Sequence, residues 1–369
     1  MRPFIPDKLP IPELKWEPLI PLIGQANRSL ARYDGVLYGV PNPTVLLSPL
    51  TTQEAVLSSR IEGTRATLGE VLRHEAGEKL PDESIRQDAQ EIINYRRALL
   101  TAEYELETRP FSLNLLLELH GMLLDHVRGR TKARGRFRST QNWIGAPGTP
   151  IEQARFVPPE PGLLPECLDN WEKHYHLEQP DPLVQLAIIH AQFEIIHPFL
   201  DGNGRLGRMI VPLFLYEKGI LSRPMFYISA YLEEHREDYM ELLRALAEPG
   251  NWNRWVEFFL RAMIEQAQTN ASRARQIIVL YETLKERVLE LTHSQYAVPL
   301  LDLLFESPVF KSTSLEGRPG MPSKPVIMTM LGKLKTEGIL EVIHEGSGRR
   351  AQVLALAELV NLCEGREVI

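Results

Sequence analysis

The sequence predicts a mainly α-helical protein that ends in a small winged helix-turn-helix module. Apolar residues recur at steps of three and four over most of the chain, which is the period of helices with one buried face. A stretch rich in Gly and Pro at residues 144–161 interrupts this pattern and is typical of turns. After residue 294 the order becomes helix, helix, helix and hairpin, as in a winged helix.

The composition is that of a globular chain with room for two or three modules. Of 369 residues, 44% are hydrophobic and 24% are charged. The net charge of −7 argues against a surface built throughout for nucleic acid. Cys167 and Cys363 are far apart and lack metal-ligand spacing, so a reducing compartment is predicted. Neither a secretion signal nor a run of about 18 apolar residues is found, so the predicted location is cytoplasmic, with no membrane partner.

The first half of the chain is predicted to be an extended arm followed by helices. The arm reaches about Pro49, because Pro, Gly and Asn are frequent there. Thr51 and Thr52 then precede a predicted helix over residues 53–62 that stops at Gly63. Further helices are predicted at residues 82–106, 112–127, 163–175 and 182–196.

The second half begins with a predicted hairpin at residues 145–159, whose second strand is residues 154–157. Helices are then predicted at residues 206–218, 230–246, 252–268 and about 273–291. The C-terminal module is predicted to hold helices at residues 298–305 and 323–337, a short element near Ser312, and strands at residues 339–343 and 351–356.

One run of twelve residues carries most of the functional signal. Residues 197–208 read His-Pro-Phe-Leu-Asp-Gly-Asn-Gly-Arg-Leu-Gly-Arg. They combine a base (His197), a carboxylate (Asp201), a glycine-rich turn and two guanidinium groups (Arg205 and Arg208). A phosphate-handling site needs these parts: a proton acceptor, a metal ligand, open backbone N–H groups and forked donors for phosphate oxygens.

This run resembles the signature of the Fic family, His-Pro-Phe-x-Asp/Glu-Gly-Asn-Gly-Arg-x-x-Arg, at every specified position. The resemblance implies a Fic helical bundle core with a short β-hairpin flap, and adenylylation, which is transfer of AMP from ATP to a hydroxyl side chain of a protein. It also divides the chain into an N-terminal arm and helical region with an inhibitory helix at residues 1–110, a catalytic core at residues 111–270, a connecting helix at residues 271–293, and a winged-helix-like domain at residues 294–369.

The resemblance implies a role for each charged residue of the run. His197 would accept the proton of the attacking hydroxyl, which suits a group whose ordinary pKa is about 6.5. Asp201 would hold Mg²⁺. Arg205 and Arg208 would bind the β- and γ-phosphates respectively.

The turn within the run is predicted to be an anion cradle. Gly202 and Gly204 permit a positive φ and leave N–H groups open at a helix N-terminus, where the dipole favours a phosphate. Asn203 would donate an amide hydrogen bond to the α-phosphate, and Leu206 and Gly207 complete the predicted nucleotide-binding backbone. Glycine at position 204 implies AMP transfer, since a lysine there is associated in the family with phosphorylation of the target.

A short motif before the core suggests a built-in inhibitor. Residues 58–63 fit the pattern Ser/Thr-x-x-x-Glu-Gly/Asn of family members that regulate themselves, with Ser58, Glu62 and Gly63 at the specified positions. Glu62 would pair with Arg208 and so remove the guanidinium that the γ-phosphate needs. In some relatives the same Glu positions a water for AMP removal, so the reverse reaction stays open.

Two further contacts are implied by the resemblance. The flap would align an extended target segment by main-chain pairing, with Phe156 and Arg155 as its clamp. Tyr239, in an Arg-x-x-Tyr motif, would contact the nucleoside. The next residue departs from the second Tyr that is common in the family, so the adenine pocket is left undefined.

The C-terminal module is not basic overall, since residues 294–369 hold 8 Lys or Arg and 9 Asp or Glu. Within residues 323–350 the balance is 5 basic to 3 acidic. The basic residues there are Lys324, Lys333 and Lys335 on the predicted recognition helix, and Arg349 and Arg350 at the predicted wing tip. DNA binding, dimerisation and target docking all stay open for this module.

The sequence thus predicts a cytoplasmic protein adenylyltransferase that uses ATP and Mg²⁺. Its partner would be a protein with a Ser, Thr or Tyr hydroxyl, or the chain itself, and a homodimer stays open. One alternative is another reaction at the same site, either AMP removal or transfer from a different nucleotide. The other is a nucleotide-sensing transcriptional regulator that binds DNA. His197 favours catalysis, because a sensor needs no base.

Overall fold

The computed structural model of the protein describes residues 2–125, 127, 133–145, 148–346 and 351–369. The described chain is mainly helical and divides into two compact units. The first unit comprises residues 1–34, 57–63 and 94–268, and the second comprises residues 35–56, 64–93 and 269–369. Within the described ranges, every helix is too short or too polar to cross a lipid bilayer.

Helices make up most of the described elements. Those of the N-terminal half are α1 (Ile20–Tyr38), α2 (Pro43–Leu46), α3 (Ser48–Ile61), α4 (Leu68–Glu75), α5 (Glu83–Leu106), α6 (Leu113–Leu123) and α7 (Leu164–His176). Those of the C-terminal half are α8 (Pro182–Ile196), α9 (Asn203–Glu217), α10 (Ser229–Glu234), α11 (Arg236–Ala245), α12 (Trp252–Thr292), α13 (Ala297–Glu306), α14 (Lys324–Thr336) and α15 (Ala357–Glu364). The strands are β1 (Val309–Lys311), β2 (Glu341–His344) and β3 (Val353–Ala355).

The predicted extended arm up to Pro49 is wrong beyond residue 19, because α1 begins at Ile20. One face of this helix is buried and carries apolar side chains at three- and four-residue steps, namely Ala26, Leu30, Tyr33 and Leu37. The glycines and the asparagine that suggested an extended chain lie on its exposed side. They therefore leave the buried face intact.

The bounds predicted for the helices after residue 229 are wrong in two places. The helices predicted at residues 252–268 and 273–291 are one continuous helix, α12, whose 41 residues include neither Gly nor Pro to end it. Conversely, the helix predicted at residues 230–246 is broken into α10 and α11 at His235. This residue has a φ of −104° and a ψ of 34°, which are not helical.

The core of the first unit is built around α8. All its residues except Pro182 and Glu194 are buried, and the helix packs against α7 and α9. Asp181 caps its N-terminus, where the carboxylate accepts hydrogen bonds from the backbone of Leu183 and Val184. A helix fixed in this way holds the residue after its C-terminus, at position 197, in one place.

The second unit contains an antiparallel sheet with the strand order β1-β3-β2. In its register, Val309 and Glu341 both lie opposite Ala355, from the two sides of β3. The helices α13 and α14 precede β1 and β2 in the order of a winged helix, but the second predicted helix is a single 3-10 turn at Ser312–Leu315. The winged helix stays a prediction.

The lysines of the predicted recognition helix each contact another part of the second unit. Lys324 Nζ lies 2.8 Å from a carboxylate oxygen of Glu316. Lys333 Nζ and Lys335 Nζ donate to the Leu291 carbonyl at 2.8 Å and to the Gln352 amide oxygen at 3.0 Å, respectively. The two arginines of the predicted wing tip lie outside the described residues.

Candidate active site

His197 lies at the C-terminal end of α8, where the chain leaves the helix. Its N–H donates to the Phe193 carbonyl at 3.0 Å, and its φ of 47° and ψ of 60° are left-handed. The Nδ1 atom of its ring lies 3.3 Å from the Glu194 carbonyl oxygen. Because a carbonyl only accepts, Nδ1 carries the hydrogen and Nε2 keeps a lone pair.

Arg138 supports this turn from inside the protein and is 3% exposed. Its Nε donates to the His197 carbonyl at 2.9 Å, and its Nη2 donates to the carbonyls of Pro159 at 2.6 Å and Ile196 at 3.3 Å. Its backbone N–H donates to the Pro198 carbonyl at 2.9 Å. Burial lowers the pKa of Arg138 to about 10, so the side chain is still charged. A charged guanidinium thus satisfies carbonyls at the negative end of α8.

Phe199 and His120 fix the next part of the loop. Phe199 is fully buried, and its ring stacks on that of His120 with 3.9 Å between centroids. His120 Nδ1 accepts from the Gly135 N–H at 2.9 Å, so its Nε2 donates to the Asp201 carbonyl at 3.1 Å. These bonds need a neutral ring, and burial lowers the pKa of His120 to about 4. Asn142 adds a bond from its Nδ2 to the Phe199 carbonyl at 3.0 Å.

The glycine-rich turn passes directly into α9, which begins at Asn203. Gly202 has a φ of 82°, a conformation that favours glycine. The Asn203 side chain accepts from the Phe199 N–H at 2.8 Å, donates to the Phe199 carbonyl at 2.9 Å, and is 2% exposed. The structure therefore places the Asn203 amide in the loop's own hydrogen bonds. Leu206 is fully buried in the core.

Asp201 and Arg205 form an ion pair beside the turn. Arg205 Nη2 lies 3.3 Å from Asp201 Oδ1, and the side chains are 4% and 32% exposed respectively. Among the described residues, no three His, Cys, Asp or Glu lie together as a ready metal site. Since Mg²⁺ is commonly held by one or two carboxylates together with substrate phosphates, the half-exposed Asp201 carboxylate fits the predicted metal role.

Arg208 is 1% exposed and is held from α3. Its Nε donates to Ser58 Oγ at 2.9 Å, and its Nη2 donates to the Ser58 carbonyl at 2.8 Å and to Glu62 Oε1 at 2.7 Å. The Glu62 side chain is 39% exposed. Gly63, with a φ of 104°, turns the chain away directly after it. The structure thus brings the predicted inhibitory motif to the last arginine of the run.

Glycines at positions 204 and 207 leave room for two carboxylates. A Cβ at Gly204 would overlap the Glu62 carboxylate and would lie 2.9 Å from Arg208 Nη1. A Cβ at Gly207 would overlap the Glu194 carboxylate. Both glycines lie within α9 at helical angles, so the positive φ predicted at Gly204 is wrong. Glycine is needed at these two positions because a side chain would overlap a carboxylate, and the backbone conformation is an ordinary one.

Burial and neighbouring charges set the protonation states of the site. Partial burial would raise the pKa of Glu62, but the charges of Arg208 and Arg205 outweigh it and bring this pKa below its ordinary value. Burial lowers the pKa of His197 to about 4. Burial also raises the pKa of Glu194 to about 7. At neutral pH, Glu62 is therefore charged, while His197 is neutral and able to accept a proton.

Tyr239, the predicted nucleoside contact, lies inside the protein and is 1% exposed. Its hydroxyl lies 2.9 Å from His190 Nε2, and its ring packs on Trp255 with 6.0 Å between centroids. Its hydroxyl also interacts electrostatically with the Arg208 guanidinium. The structure therefore places Tyr239 against the arginine.

The predicted flap contains one antiparallel bridge within the described residues, between Ile144 and Phe156. The Ile144 N–H donates to the Phe156 carbonyl, and the Arg155 N–H donates to the Ile144 carbonyl, both at 2.8 Å. Phe156 is 8% exposed and packs on Phe4 with 5.7 Å between ring centroids, whereas Arg155 is exposed. Residues 146–147, near the tip, lie outside the described part, and the hairpin stays a prediction.

Sequence reasoning missed three residues of the site. Arg138 lies in a stretch whose basic and polar character is visible in the sequence, but its carbonyl partners are not. His120 gives no signal, because its partners are backbone atoms far away along the chain. Glu194 stands three residues before His197, and this helical spacing is the signal that would have placed it at the site.

Two models of the Fic/DOC family match the chain and together span about half of it. The model described as Fic/DOC family N-terminal matches residues 20–103, and the model described as Fic/DOC family matches residues 110–215. The first range includes the Ser58–Gly63 motif, and the second includes the run from His197 to Arg208.

The chain is also similar to curated proteins. It is 26% identical over 315 residues to a probable protein adenylyltransferase of Aquifex aeolicus (strain VF5), which covers 79% of this chain and 91% of the relative. It is 31% identical over 166 residues to the protein adenylyltransferase fic-1 of Caenorhabditis elegans. That match covers 43% of this chain but only 30% of the nematode protein.

Solved structures share the fold. The crystal structure of a Fic family protein from Desulfovibrio desulfuricans G20 has a TM-score of 0.57 at 20% identity and covers 95% of this chain and 98% of its own. The structure of Fic-1 from C. elegans has a TM-score of 0.54 at 22% identity and covers 72% of this chain and 75% of its own. These matches show a common fold.

Proposed function

The chain belongs to the Fic/DOC family, and from this premise we propose that it is a protein adenylyltransferase. It would transfer AMP from ATP to a Ser, Thr or Tyr hydroxyl of a target protein or of itself. Relatives named as adenylyltransferases support this reaction class. One feature of the site carries the proposal. Arg208, a guanidinium suited to phosphate, is paired with the Glu62 carboxylate at one end of the run, and at the other end burial lowers the pKa of His197 so that its imidazole is neutral at pH 7.

His197 would act as the general base. Its Nδ1–H is directed to the Glu194 carbonyl, so Nε2 is the nitrogen that would take the proton from the acceptor hydroxyl. As that oxygen bonds to the α-phosphorus, the bond to the bridging oxygen breaks and pyrophosphate leaves. The hydrogen bonds from Arg138 and Asn142 to the His197 carbonyl would hold the ring in place during this step.

The phosphates would be bound at the N-terminus of α9. Open backbone N–H groups and the helix dipole favour an anion there, and Arg205 and Arg208 would supply forked donors to the β- and γ-phosphates. Asp201 would hold Mg²⁺, which when bound neutralises part of the phosphate charge. The Asn203 amide already bonds the loop backbone, so we assign it to shaping the turn.

Glu62 would act as an inhibitor by competition. Its carboxylate occupies a donor of Arg208 and the space above Gly204. A γ-phosphate needs the same donor, and two anions cannot share it without repulsion. ATP would consequently bind in a pose that lacks the Arg208 contact. Since Glu62 is 39% exposed, displacing it should cost less than breaking a fully buried ion pair.

Labelling with α-³²P-ATP and Mg²⁺ tests the proposal. We expect Glu62→Gly to raise autoadenylylation at least about tenfold, since release of Arg208 is worth on the order of 1.4 kcal/mol or more. Adding His197→Ala should abolish the label. Glu237→Gly, at an exposed position of α11, is the matched control and should behave as wild type. A folded Glu62→Gly protein that incorporates no more label than wild type would overturn the proposal.

AMP removal is a second candidate activity, and the state of Glu62 favours it. The carboxylate is charged and partly exposed, so it is able to orient a water molecule while still near His197. Protein that has been adenylylated and freed of ATP should release AMP when the wild-type chain is added. The Glu62→Gln variant should release none. If wild type and Glu62→Gln released AMP equally, Glu62 would have no role in AMP removal, and inhibition would be its one proposed role.

A further inference from the structure

A second set of contacts reaches Arg208, besides those from α3. It consists of His190 on α8 and Tyr239 on α11, which are 0% and 1% exposed respectively. Neither belongs to the run from His197 to Arg208. Both are polar residues placed deep in the core, so their hydrogen bonds must be satisfied by the protein.

The donors and acceptors of this set follow a fixed order. The Gly207 carbonyl lies 3.0 Å from His190 Nδ1, which therefore carries the hydrogen. His190 Nε2 is then an acceptor and takes the Tyr239 O–H at 2.9 Å. The Tyr239 oxygen keeps its lone pairs, which attract the nearby guanidinium of Arg208. These contacts thus involve two adjacent residues of α9, Gly207 and Arg208.

Ring packing prevents His190 from turning. Its imidazole is nearly parallel to the Trp255 ring, at an interplanar angle of 7° and 6.0 Å between centroids, and the Phe259 ring lies 5.5 Å away. Both aromatic residues belong to α12. Three helices, α8, α11 and α12, thus fix one imidazole whose bonds lead to Arg208.

When Glu62 leaves Arg208, the contacts from α3 are lost together, whereas the contact from α11 is independent of them. Ser58 and Glu62 lie at the same end of α3, so a movement of that end removes both from Arg208. Tyr239 is on α11, and its hydroxyl bonds His190 of α8, so this contact does not depend on α3. Without a fixed partner, the long Arg208 side chain would regain rotamer freedom, which must be lost again when a phosphate binds.

We propose that His190 and Tyr239 are positioning residues that hold the Arg208 guanidinium ready for the γ-phosphate once Glu62 has withdrawn. The proposal rests on the adenylyltransferase function proposed above. It gives Tyr239 a role at the far end of the triphosphate. It predicts that the pair matters for nucleotides with a γ-phosphate and is indifferent to those without one.

Calorimetric titration of the Glu62→Gly protein with ATP and with ADP, in the presence of Mg²⁺, tests this. Tyr239→Phe removes the hydroxyl and keeps the ring. We expect the Kd for ATP to rise about tenfold, as for loss of a hydrogen bond to a charged group, and the Kd for ADP to change less than about twofold. Tyr175→Phe is the matched control, since its buried hydroxyl donates to Glu217 at 2.8 Å.

Two variants of His190 complete the test. His190→Gln keeps an acceptor for the Tyr239 hydroxyl and should stay near the parent affinity for ATP. His190→Leu should match Tyr239→Phe and add nothing to it in the double variant. Circular dichroism identifies any variant that fails to fold, and the Tyr239→Phe result then stands alone.

The outcomes separate the two proposals. Equal weakening of ATP and ADP, or of neither, would overturn the role of His190 and Tyr239 and leave them as core residues. Selective weakening of ATP supports that role whether or not AMP is transferred. If Glu62→Gly binds ATP with this selectivity but labels no protein, the adenylyltransferase function fails and the positioning role stands.

Discussion

Two of the buried arginines contact opposite ends of the run from His197 to Arg208, and their partners differ in kind. Arg138, which is 3% exposed, holds the His197 end through four backbone carbonyls. Arg208, which is 1% exposed, closes the other end and pairs with the carboxylate of Glu62. Both guanidiniums have hydrogen-bond partners, but those of Arg138 are main-chain carbonyls, whereas Arg208 also bonds a side-chain carboxylate.

The contacts of Arg138 are permanent, whereas the contact of Glu62 with Arg208 is exchangeable for a ligand. The carbonyl partners of Arg138 are main-chain groups, two of them at the end of α8, so they cannot leave without a rearrangement of the backbone. Glu62 holds Arg208 through a side chain that is 39% exposed, and it directly follows the last residue of α3, Ile61. An incoming phosphate can replace it with another anion. Burial of a charged group therefore says little about its function until its partners are identified.

The largest effect is expected at the permanent end. Arg138→Met should leave several buried carbonyls without donors and destabilise the protein by about 2–4 kcal/mol, since each orphaned group costs about 1–3 kcal/mol. In the Glu62→Gly background, transfer should fall more than about a hundredfold because His197 loses its support. Urea unfolding and ³²P labelling measure the two effects. Arg254→Met, at an exposed position of α12, is the control. If Arg138→Met were as stable as wild type, Arg138 would not be a structural residue, and its contrast with Arg208 would fail.

A smaller effect, of opposite sign, is expected at the exchangeable end. In Gly204→Ala the new methyl would occupy the place of the Glu62 carboxylate and displace it from Arg208. Autoadenylylation should rise about tenfold, if displacement is worth on the order of 1.4 kcal/mol. Gly24→Ala, whose Cβ meets nothing within 4 Å, is the control.

A variant that combines Glu62→Gly with Gly204→Ala tests whether displacement of Glu62 causes the increase. Since Glu62→Gly already empties the space, adding Gly204→Ala should raise the label no further. An additive increase would mean that position 204 acts on the reaction by another route. A decrease would mean that the cradle itself does not tolerate a methyl group.

Ser58→Ala should have a modest effect in the same direction. It removes the Oγ partner of Arg208 Nε at 2.9 Å but keeps the Ser58 carbonyl bond. Loss of one hydrogen bond, about 1 kcal/mol, should loosen the α3 contact and raise labelling about fivefold. Ser59→Ala is a close control, because Ser59 is also buried and its hydroxyl has no partner among the described residues. Equal effects of the two substitutions would assign the change to helix packing.

The smallest expected change concerns the protonation of His197. With its pKa lowered to about 4, the ring should show no titration between pH 8 and pH 5.5 in ¹⁵N NMR spectra, once the His197→Asn variant has assigned its signals. A free imidazole would titrate near pH 6.5. The unfolded chain therefore binds more protons than the folded chain, so this residue's contribution to stability is full above pH 6.5 and is lost as the pH falls toward 4. A midpoint near 6.5 would show an open, hydrated ring.

Several elements follow from local sequence alone. The bounds predicted for α8, residues 182–196, coincide with those observed, because Asp181 caps the start and an apolar run fills the helix. The helix α1 was not predicted, since its Gly and Asn residues suggest a turn until the burial of one face is known. The break between α10 and α11 at His235 likewise has no strong signal in the local sequence.

The site shows the same division. The run from His197 to Arg208 and the motif from Ser58 to Gly63 are visible in the sequence, and the structure places their ends in contact. The roles of Asn203 and Tyr239 depend on which neighbours take their hydrogen bonds first. Phe199 lies four residues before Asn203 in the same run, whereas His190 lies on α8, 49 positions before Tyr239.

The sequence by itself determined the chemistry available to this protein: the residue types of the run, their spacing on and beside two helices, and the carboxylate set ahead of the core. Only the tertiary structure decided which of these groups face a ligand and which hold the frame. The physical reason is range. Helix periodicity and capping act over a few residues, whereas a buried guanidinium or imidazole takes partners from other segments of the chain, as Arg208 does with Ser58 across 150 positions.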